Sequence, residues 1–438
     1  MLRSRKFWLA LYLGAIVLPL LVLLVEERPR PGGFWWDFSL ALGYSALAMM
    51  GIQFALTARF KVPTAPFGID LIYYFHRYLA TIATLLVVAH ALILLWRHPA
   101  AVGSVDPRSA PAHMSLGWLA LLAFLALVAS SLWRKQLGIE YDRWRRLHVA
   151  LAVLGLVFAV VHVLGAGSYL ESPLKRGLWL SLVVFWLGLT VYVRVLRPAW
   201  LARRPWVVTG IRKERGRSWT LTVKPDGPHR VFDYHPGAFA WLTLRASPWA
   251  MREHPFSIAS SPMRPGSLEF TIKELGDFTN RIGEIKPGER AWVDGPYGSF
   301  GIDRFPNARG YIFVAGGVGI APLMSMLRAL DDRGDHRPKW LFYGNSDYER
   351  IVLREEIDAI AARIGMKVVH VLCEAGPDWR GERGYVDAEV MRRHLPADLD
   401  GLDCFVCGPE PMIRLAERSL GQLGMPLARV HSEIFDIA

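Results

Sequence analysis

Four histidines carry the first chemical signal in this sequence. His76 and His90 lie fourteen positions apart in the apolar stretch FHRYLATIATLLVVAHALIL, and His148 and His162 repeat that spacing in RLHVALAVLGLVFAVVHVLG. Fourteen residues of α-helix advance about 21 Å and return to within about 40° of the starting direction, so both imidazoles of a pair share one helix face. With the two helices running in the same direction, His76 stands level with His148 and His90 with His162. Each level then offers two imidazoles across a helix interface, the donor set for axial ligation of an iron porphyrin in a bundle. A single histidine in a membrane helix is as readily a hydrogen-bonded packing residue. Four at one repeated spacing point to function, because ionisable groups are costly in a bilayer. No Asp or Glu interrupts either stretch, which argues against a proton relay. Ala83 and Gly155 near mid-helix, with Phe158 one turn before His162, suit either close helix packing or the approach of two macrocycles with an aromatic between them.

The elements that position these histidines are legible from hydropathy. The 438-residue chain is 52% apolar with 17 tryptophans, and the apolar excess falls in the first 200 residues. A spanning helix needs about 20 mostly apolar residues, and six stretches qualify, at roughly 7–25, 36–57, 71–95, 114–133, 147–166 and 177–197. Basic residues cluster on alternate connections: Arg3, Arg5 and Lys6; Arg59 and Lys61; Arg134, Lys135, Arg143, Arg145 and Arg146; Arg203 and Arg204. The other connections carry mixed charge, as in Glu26, Glu27, Arg28 and Arg30. The positive-inside rule therefore predicts a multi-pass inner-membrane protein with both termini cytoplasmic. The formal charge of +12 follows from that topology, and no nucleic-acid motif is present. The first span lacks a small-residue cleavage site and reads as retained. Cys373, Cys404 and Cys407 all lie in the polar half and are expected to be reduced thiols. Cys404 and Cys407 form a C-x-x-C pattern that reads as coincidence within a strand, since a zinc site needs two more ligands. His98 and His113 flank the outer loop and read as solvated.

After Arg204 the pattern changes. WVVTGIRKERGRSWTLTVKP, FAWLTLRA and LEFTIKEL alternate apolar and polar residues between Gly and Pro, which predicts a small antiparallel β-barrel. From about Gly310, YIFVAGG, KWLFYGN, MKVVHVLCE and CFVCGPE are apolar runs separated by amphipathic helical segments, the signature of an α/β doubly wound parallel sheet. In VAGGVGIAPLMSML, Gly316, Gly317 and Gly319 join a strand to a helix, with Pro322 in its first turn. Such a turn lets backbone N–H groups meet a dinucleotide pyrophosphate at a helix N-terminus, although tight turns require glycine too. Downstream, in FYGNSDYER, Ser346 and Arg350 suit the 2′-phosphate of NADPH, whereas Asp347 suits the ribose hydroxyl of NADH. The expectation is NADPH, with NADH open.

REHPFSIASSP at 252–262 resembles the flavin motif of the NADPH oxidase and ferric reductase family, within the flavoprotein superfamily related to ferredoxin–NADP reductase. HPGAFAWL, IKELGDFTNRI and CFVCGPEPM are similar to that family's other FAD and nicotinamide segments. The resemblance implies that His254, Pro255, Phe256 and Ser257 line FAD, with Ser257 near N5, and that Lys273 and Thr279 meet its phosphates. It implies that Cys407 sits by the nicotinamide above a turn at Gly408 and Pro409, and that Phe435 covers the flavin face; a simple strand role for Phe435 is the alternative. It further implies two b-type haems, inner at His76 and His148 and outer at His90 and His162. The expected organisation is a haem bundle over 1–200, a FAD domain over 205–305 and an NAD(P) domain over 306–438. Electrons would pass from cytoplasmic NAD(P)H to an acceptor on the far side: O2, reduced to superoxide, or a ferric chelate. Superoxide-producing members of that family carry a further histidine where this chain has Leu94, and Arg97 nearby reads as an interfacial side chain. A haem-bearing relay subunit or sensor without its own acceptor site is the alternative of another class.

Overall fold

The computed structural model describes residues 5–25, 32–60 and 69–434, and they form two compact units, Met1–Pro198 and Ala199–Ala438. The first contains six helices long and apolar enough to cross a membrane: α1 (Arg5–Leu23), α2 (Gly33–Leu56), α3 (Ile69–Arg97), α4 (Ala112–Leu132), α5 (Tyr141–Ala166) and α6 (Pro173–Val191). The last continues through a π-helical turn, Tyr192–Leu196, into Arg197–Ala202. α2 is the central helix, with ten of its 24 residues buried. Lipid supplies no hydrophobic drive between helices, so close approach depends on small residues. Gly51 of α2 admits Trp186 of α6, where a Cβ would stand 2.3 Å from the indole, and Gly155 of α5 admits Phe124 of α4, where it would stand 2.8 Å away.

The second unit joins two sheets. β1 (Trp206–Glu214), β2 (Ser218–Pro225), β3 (Phe239–Leu244), β4 (His254–Ser257), β5 (Leu268–Lys273) and β6 (Arg290–Tyr297) form an antiparallel sheet in the order β4-β3-β6-β1-β2-β5. It curls until its edges meet at the Ile258–Phe270 bridge. The other sheet, in the order β10-β9-β8-β7-β11-β12, is parallel throughout. Its strands are β7 (Gly310–Gly316), β8 (Lys339–Asn345), β9 (Met366–Leu372), β10 (Glu382–Arg383), β11 (Leu402–Gly408) and β12 (Val430–Ile434). The helices α7 (Ile320–Asp332), α8 (Arg354–Ile364), α9 (Ala388–His394) and α10 (Glu410–Gln422) connect them. The strand order reverses between β7 and β11, and open α/β sheets bind ligands at the carboxyl ends of strands beside such a switch.

Arg328 of α7 ties the two sheets together. Its guanidinium, 9% exposed, pairs with Glu269 of β5 at 2.9 Å and Glu356 of α8 at 2.7 Å, and donates to the Ala259 carbonyl at 2.8 Å. Burial raises the Glu356 carboxyl, but the Arg328 hydrogen bond and charge overcome it and leave its pKa below the ordinary carboxylate range. A depressed carboxylate contributes stability above its unfolded pKa and loses it as pH falls through the folded value. We predict that Arg328→Met, which strands two carboxylates, lowers the denaturant stability of the flavin–nucleotide unit by about 3 kcal/mol at pH 7. The deficit shrinks below the usual carboxylate pKa, as read from chemical denaturation at several pH values.

Candidate functional site

The bundle brings the four histidines together by level. His76 of α3 and His148 of α5 have ring centroids 6.0 Å apart. Two imidazoles bound to one metal at about 2 Å per nitrogen place their centroids about 6 Å apart, so the separation fits an iron between them. Trp144 lies one turn before His148, its ring 5.1 Å from the imidazole. At the other end of the same helices, His90 and His162 line one apolar pocket, with Leu94, Met114, Trp118 and Phe124 among its walls. His90 Nδ1 lies 2.8 Å from the Ser39 carbonyl, and His162 Nδ1 lies 3.0 Å from the His113 carbonyl. A carbonyl only accepts, so Nδ1 carries the proton in both rings and the Nε2 lone pair remains available to a metal. Among the described residues no group of three or more metal-binding side chains occurs. The two imidazoles at each level would suit a porphyrin iron, whose ring would supply the remaining nitrogen donors.

Ala83 is fully buried between the two levels, in one cluster with Met50 and Phe124, against which Phe158 packs. Phe124 was not visible as a site residue in sequence because it lies on α4, away from the paired histidines. His113, read as solvent-facing, is half-buried and its carbonyl holds His162. The Arg97 guanidinium lies 4.0 Å from the Trp96 ring centroid and 5.3 Å from that of Trp35, a cation–π arrangement of the kind found at membrane interfaces.

In the second unit, β4 carries His254, Pro255, Phe256 and Ser257. Ser257 is buried and its hydroxyl has no hydrogen-bond partner among the described residues, a group that suits a polar ring atom such as a flavin nitrogen. The His254 ring stacks on Phe278 at 4.0 Å, and Phe256 lies 6.1 Å from the same ring. Phe278 falls inside the segment IKELGDFTNRI, and nothing in its spacing marks it there. The Thr279 hydroxyl accepts from the N–H groups of Leu275 at 2.9 Å and Gly276 at 3.0 Å, so it shapes the turn. Lys273 ends β5, and its ammonium lies 3.9 Å from where a Cβ on Gly317 would stand. Burial, then the charges of Arg350 and Arg217, push that ammonium below its usual pKa.

At the switch point the two glycine turns pack backbone to backbone. A Cβ on Gly319 would stand 2.2 Å from the Cys407 carbonyl, and one on Gly408 would stand 3.1 Å from the Gly316 backbone. Gly317 has φ +53°, and the Tyr343 hydroxyl holds its carbonyl at 2.9 Å. Pro322 lies in the first turn of α7 and Pro409 immediately before α10, positions where a missing N–H costs little. Cys407 is fully buried beside Ala315. Cys404 and Cys407 belong to core clusters on opposite faces of the sheet. Strand alternation thus keeps the C-x-x-C thiols apart. The Asp347 carboxylate takes the Ser346 hydroxyl at 3.3 Å and the Arg350 guanidinium at 3.0 Å. β12 ends at Ile434, opposite Gly408; Phe435 lies outside the described residues.

Comparison with known families agrees with this division. Residues 42–160 match the ferric reductase like transmembrane component, 217–300 an FAD-binding domain and 313–418 the oxidoreductase NAD-binding domain. Ferredoxin–NADP reductase B of Sorangium cellulosum is 34% identical over 221 residues, 47% of this chain and 87% of that protein. Through its FAD and NAD domains the chain belongs to the ferredoxin–NADP reductase family, and it carries a ferric reductase-like transmembrane domain ahead of them. The glycine betaine monooxygenase reductase subunit of Pseudomonas aeruginosa is 31% identical over 211 residues, and the match spans 47% of this chain and 57% of that subunit. A flavohemoglobin from Malassezia yamatoensis superposes with a TM-score of 0.51 at 15% identity over 91% of this chain and 97% of its own, a likeness of fold alone. The ferric reductase-like match contains His76, His90 and His148 and stops just before His162. As a member of this family the chain is an oxidoreductase with FAD and NAD(P)H domains.

The glycine packing generates a direct test of the nucleotide turn. Gly319→Ala drives a methyl into the Cys407 carbonyl and is expected to slow anaerobic flavin reduction by NAD(P)H at least tenfold. FAD content stays unchanged, as measured by stopped-flow absorbance beside released-flavin fluorescence.

Proposed function

We propose that this protein carries electrons from cytoplasmic NADH through FAD and two b-type haems to an acceptor on the far side of the cell inner membrane. The observation that carries the reading is the pairing of His76 with His148 and of His90 with His162 at opposite ends of the same two apolar helices. FAD supplies the passage from a two-electron hydride to single electrons, and the haems supply a one-electron relay through the bilayer. The chain's own residues hold and orient these groups. His76 and His148 are the inner ligands and His90 and His162 the outer ones. Phe124 and Phe158 fill the space between the two levels and keep it dry. Ser257 offers its hydroxyl to the flavin ring, and His254 and Phe256 pack beside it with Phe278. Gly316, Gly317 and Gly319 present backbone N–H groups to the dinucleotide pyrophosphate, with the Lys273 ammonium close by. The Cys407–Gly408–Pro409 turn borders the nicotinamide. The domains follow as 1–200 for haem, 205–305 for FAD and 306–438 for the nucleotide. Basic residues between α4 and α5 support cytoplasmic termini, because they share the His148 end of the bundle.

The choice of NADH rests on Asp347. The two groups suited to a 2′-phosphate, Ser346 and Arg350, are both turned onto its carboxylate, so a phosphate there meets an anion while a ribose hydroxyl meets an acceptor. For the acceptor, O2 reduced to superoxide is the first reading. A ferric chelate is the second, favoured by Leu94 standing in the cavity wall where superoxide-producing members carry histidine.

Asp347→Ser is expected to shift the kcat/KM ratio toward NADPH by about tenfold, or about 1.4 kcal/mol, read as anaerobic flavin reduction; an unchanged ratio removes Asp347 as the selector. His90→Ala is expected to lose one of two haems and stop reduction of outside acceptors while NADH still reduces the flavin. Superoxide-specific and ferrous-specific assays, run side by side on the wild type, separate the two acceptors. Loss of both haems from a folded His90→Ala protein contradicts the pairing by level.

A further inference from the structure

The outer histidines are held by two helices that carry no ligand. His90 on α3 donates its Nδ1 proton to the Ser39 carbonyl on α2 at 2.8 Å. The Ser39 hydroxyl, 2.9 Å from the same nitrogen, donates back to the His90 carbonyl at 3.1 Å. His162 on α5 donates to the His113 carbonyl on α4 at 3.0 Å. In each case the residue four positions beyond the accepting carbonyl is glycine, Gly43 on α2 and Gly117 on α4. A Cβ on Gly43 would stand 3.3 Å from the His90 ring, and one on Gly117 would stand 2.7 Å from His162 Nδ1. Residues four apart lie on one helix face, one turn from each other. The imidazole therefore lies against the glycine while its nitrogen reaches the carbonyl a turn away. Ser39 and His113, like Gly43 and Gly117, are seventy-four positions apart, so the helix pairs α2–α3 and α4–α5 carry the same device twice.

The inner pair lacks it. His148 Nδ1 meets the Ser131 hydroxyl at a long 3.3 Å, and that hydroxyl's own proton goes to the Leu127 carbonyl at 2.7 Å. Among the described residues His76 Nδ1, which is buried, has no hydrogen-bond partner. Thr57, seventy-four positions before Ser131, likewise bonds back to its own helix, at the Gln53 carbonyl. One level of the bundle thus has two strongly anchored imidazoles and the other has none.

We propose that α2 and α4 set the redox potential of the outer centre, with the carbonyls of Ser39 and His113 as hydrogen-bond acceptors for its two ligands and Gly43 and Gly117 as the positioning residues that keep those bonds short. This rests on the bis-histidine reading given above. An Nδ1–H bonded to a carbonyl fixes the tautomer and raises the basicity of the ligating nitrogen. A more basic ligand favours ferric over ferrous iron, so the bonds lower the outer potential relative to the same pair without them. The exit iron is then a stronger reductant than its ligand types alone would make it, which suits one-electron reduction of a weak oxidant.

The test is spectroelectrochemical titration of the full-length protein in detergent or nanodiscs, with haem and FAD counted in each preparation. Gly117→Ala, which pushes His162 off its carbonyl, is expected to raise one of the two haem midpoints by a factor of about ten in the reduced-to-oxidised ratio, about 59 mV for one electron. Gly43→Ala, with the looser contact, moves the same midpoint in the same direction by less. Gly188→Ala on α6, where a Cβ meets nothing within 4 Å, moves neither. If Gly117→Ala is too crowded to keep its outer haem, Gly43→Ala carries the measurement. Two haems with both midpoints unchanged in Gly43→Ala and Gly117→Ala, or both midpoints shifted equally, overturn the proposal. A wild-type protein without two haems overturns the function proposed above instead, so the two failures are distinguishable.

Discussion

A ring nitrogen bonded to a helix carbonyl decides what His90 and His162 are able to do. With Nδ1 donating to the Ser39 or His113 carbonyl, each imidazole in its neutral form is fixed in one tautomer, with the Nε2 lone pair left over. That constraint reaches far into the bundle. α2 must run at its centre to present Ser39 and Gly43, α4 must bring His113 and Gly117 against α5, and the residues between must be small enough for the helices to approach. The requirement explains why the most buried helix is one that carries none of the four histidines.

The second unit solves a different problem by the same means, which is backbone approach. Gly319 and Gly408 allow two turns at the carboxyl ends of β7 and β11 to touch beside the fully buried Cys407. Arg328 holds the curled antiparallel sheet against the parallel one through two carboxylates and a carbonyl. The flavin-type strand and the nucleotide turn are thereby kept in register, which hydride transfer between two bound cofactors requires.

Hydropathy and spacing made much of this legible. Six spans, two sheet types and four histidines each follow a period that a single chain records, 3.6 for helices and 2 for strands. What stayed hidden was lateral. Ser39, Gly43, His113, Gly117 and Phe124 act on histidines of neighbouring helices, and no periodicity within α2 or α4 distinguishes them from ordinary packing residues. Phe278 was hidden for the same reason, since its partner His254 is distant in sequence. Asp347 was visible, but which way Ser346 and Arg350 turn depends on side-chain geometry that the motif does not encode. In the C-x-x-C pattern, strand alternation sends the two sulfurs to opposite faces of the sheet.

The central claim is that two irons are each gripped by a pair of imidazoles in one bundle. It is tested most directly by low-temperature electron paramagnetic resonance of the oxidised wild-type protein, with haem and flavin quantified in the same sample. The account predicts two haems per FAD and two low-spin ferric signals of bis-imidazole type, distinct because the two levels hold their ligands differently. A protein that binds FAD but carries a single haem, or only high-spin iron, contradicts it.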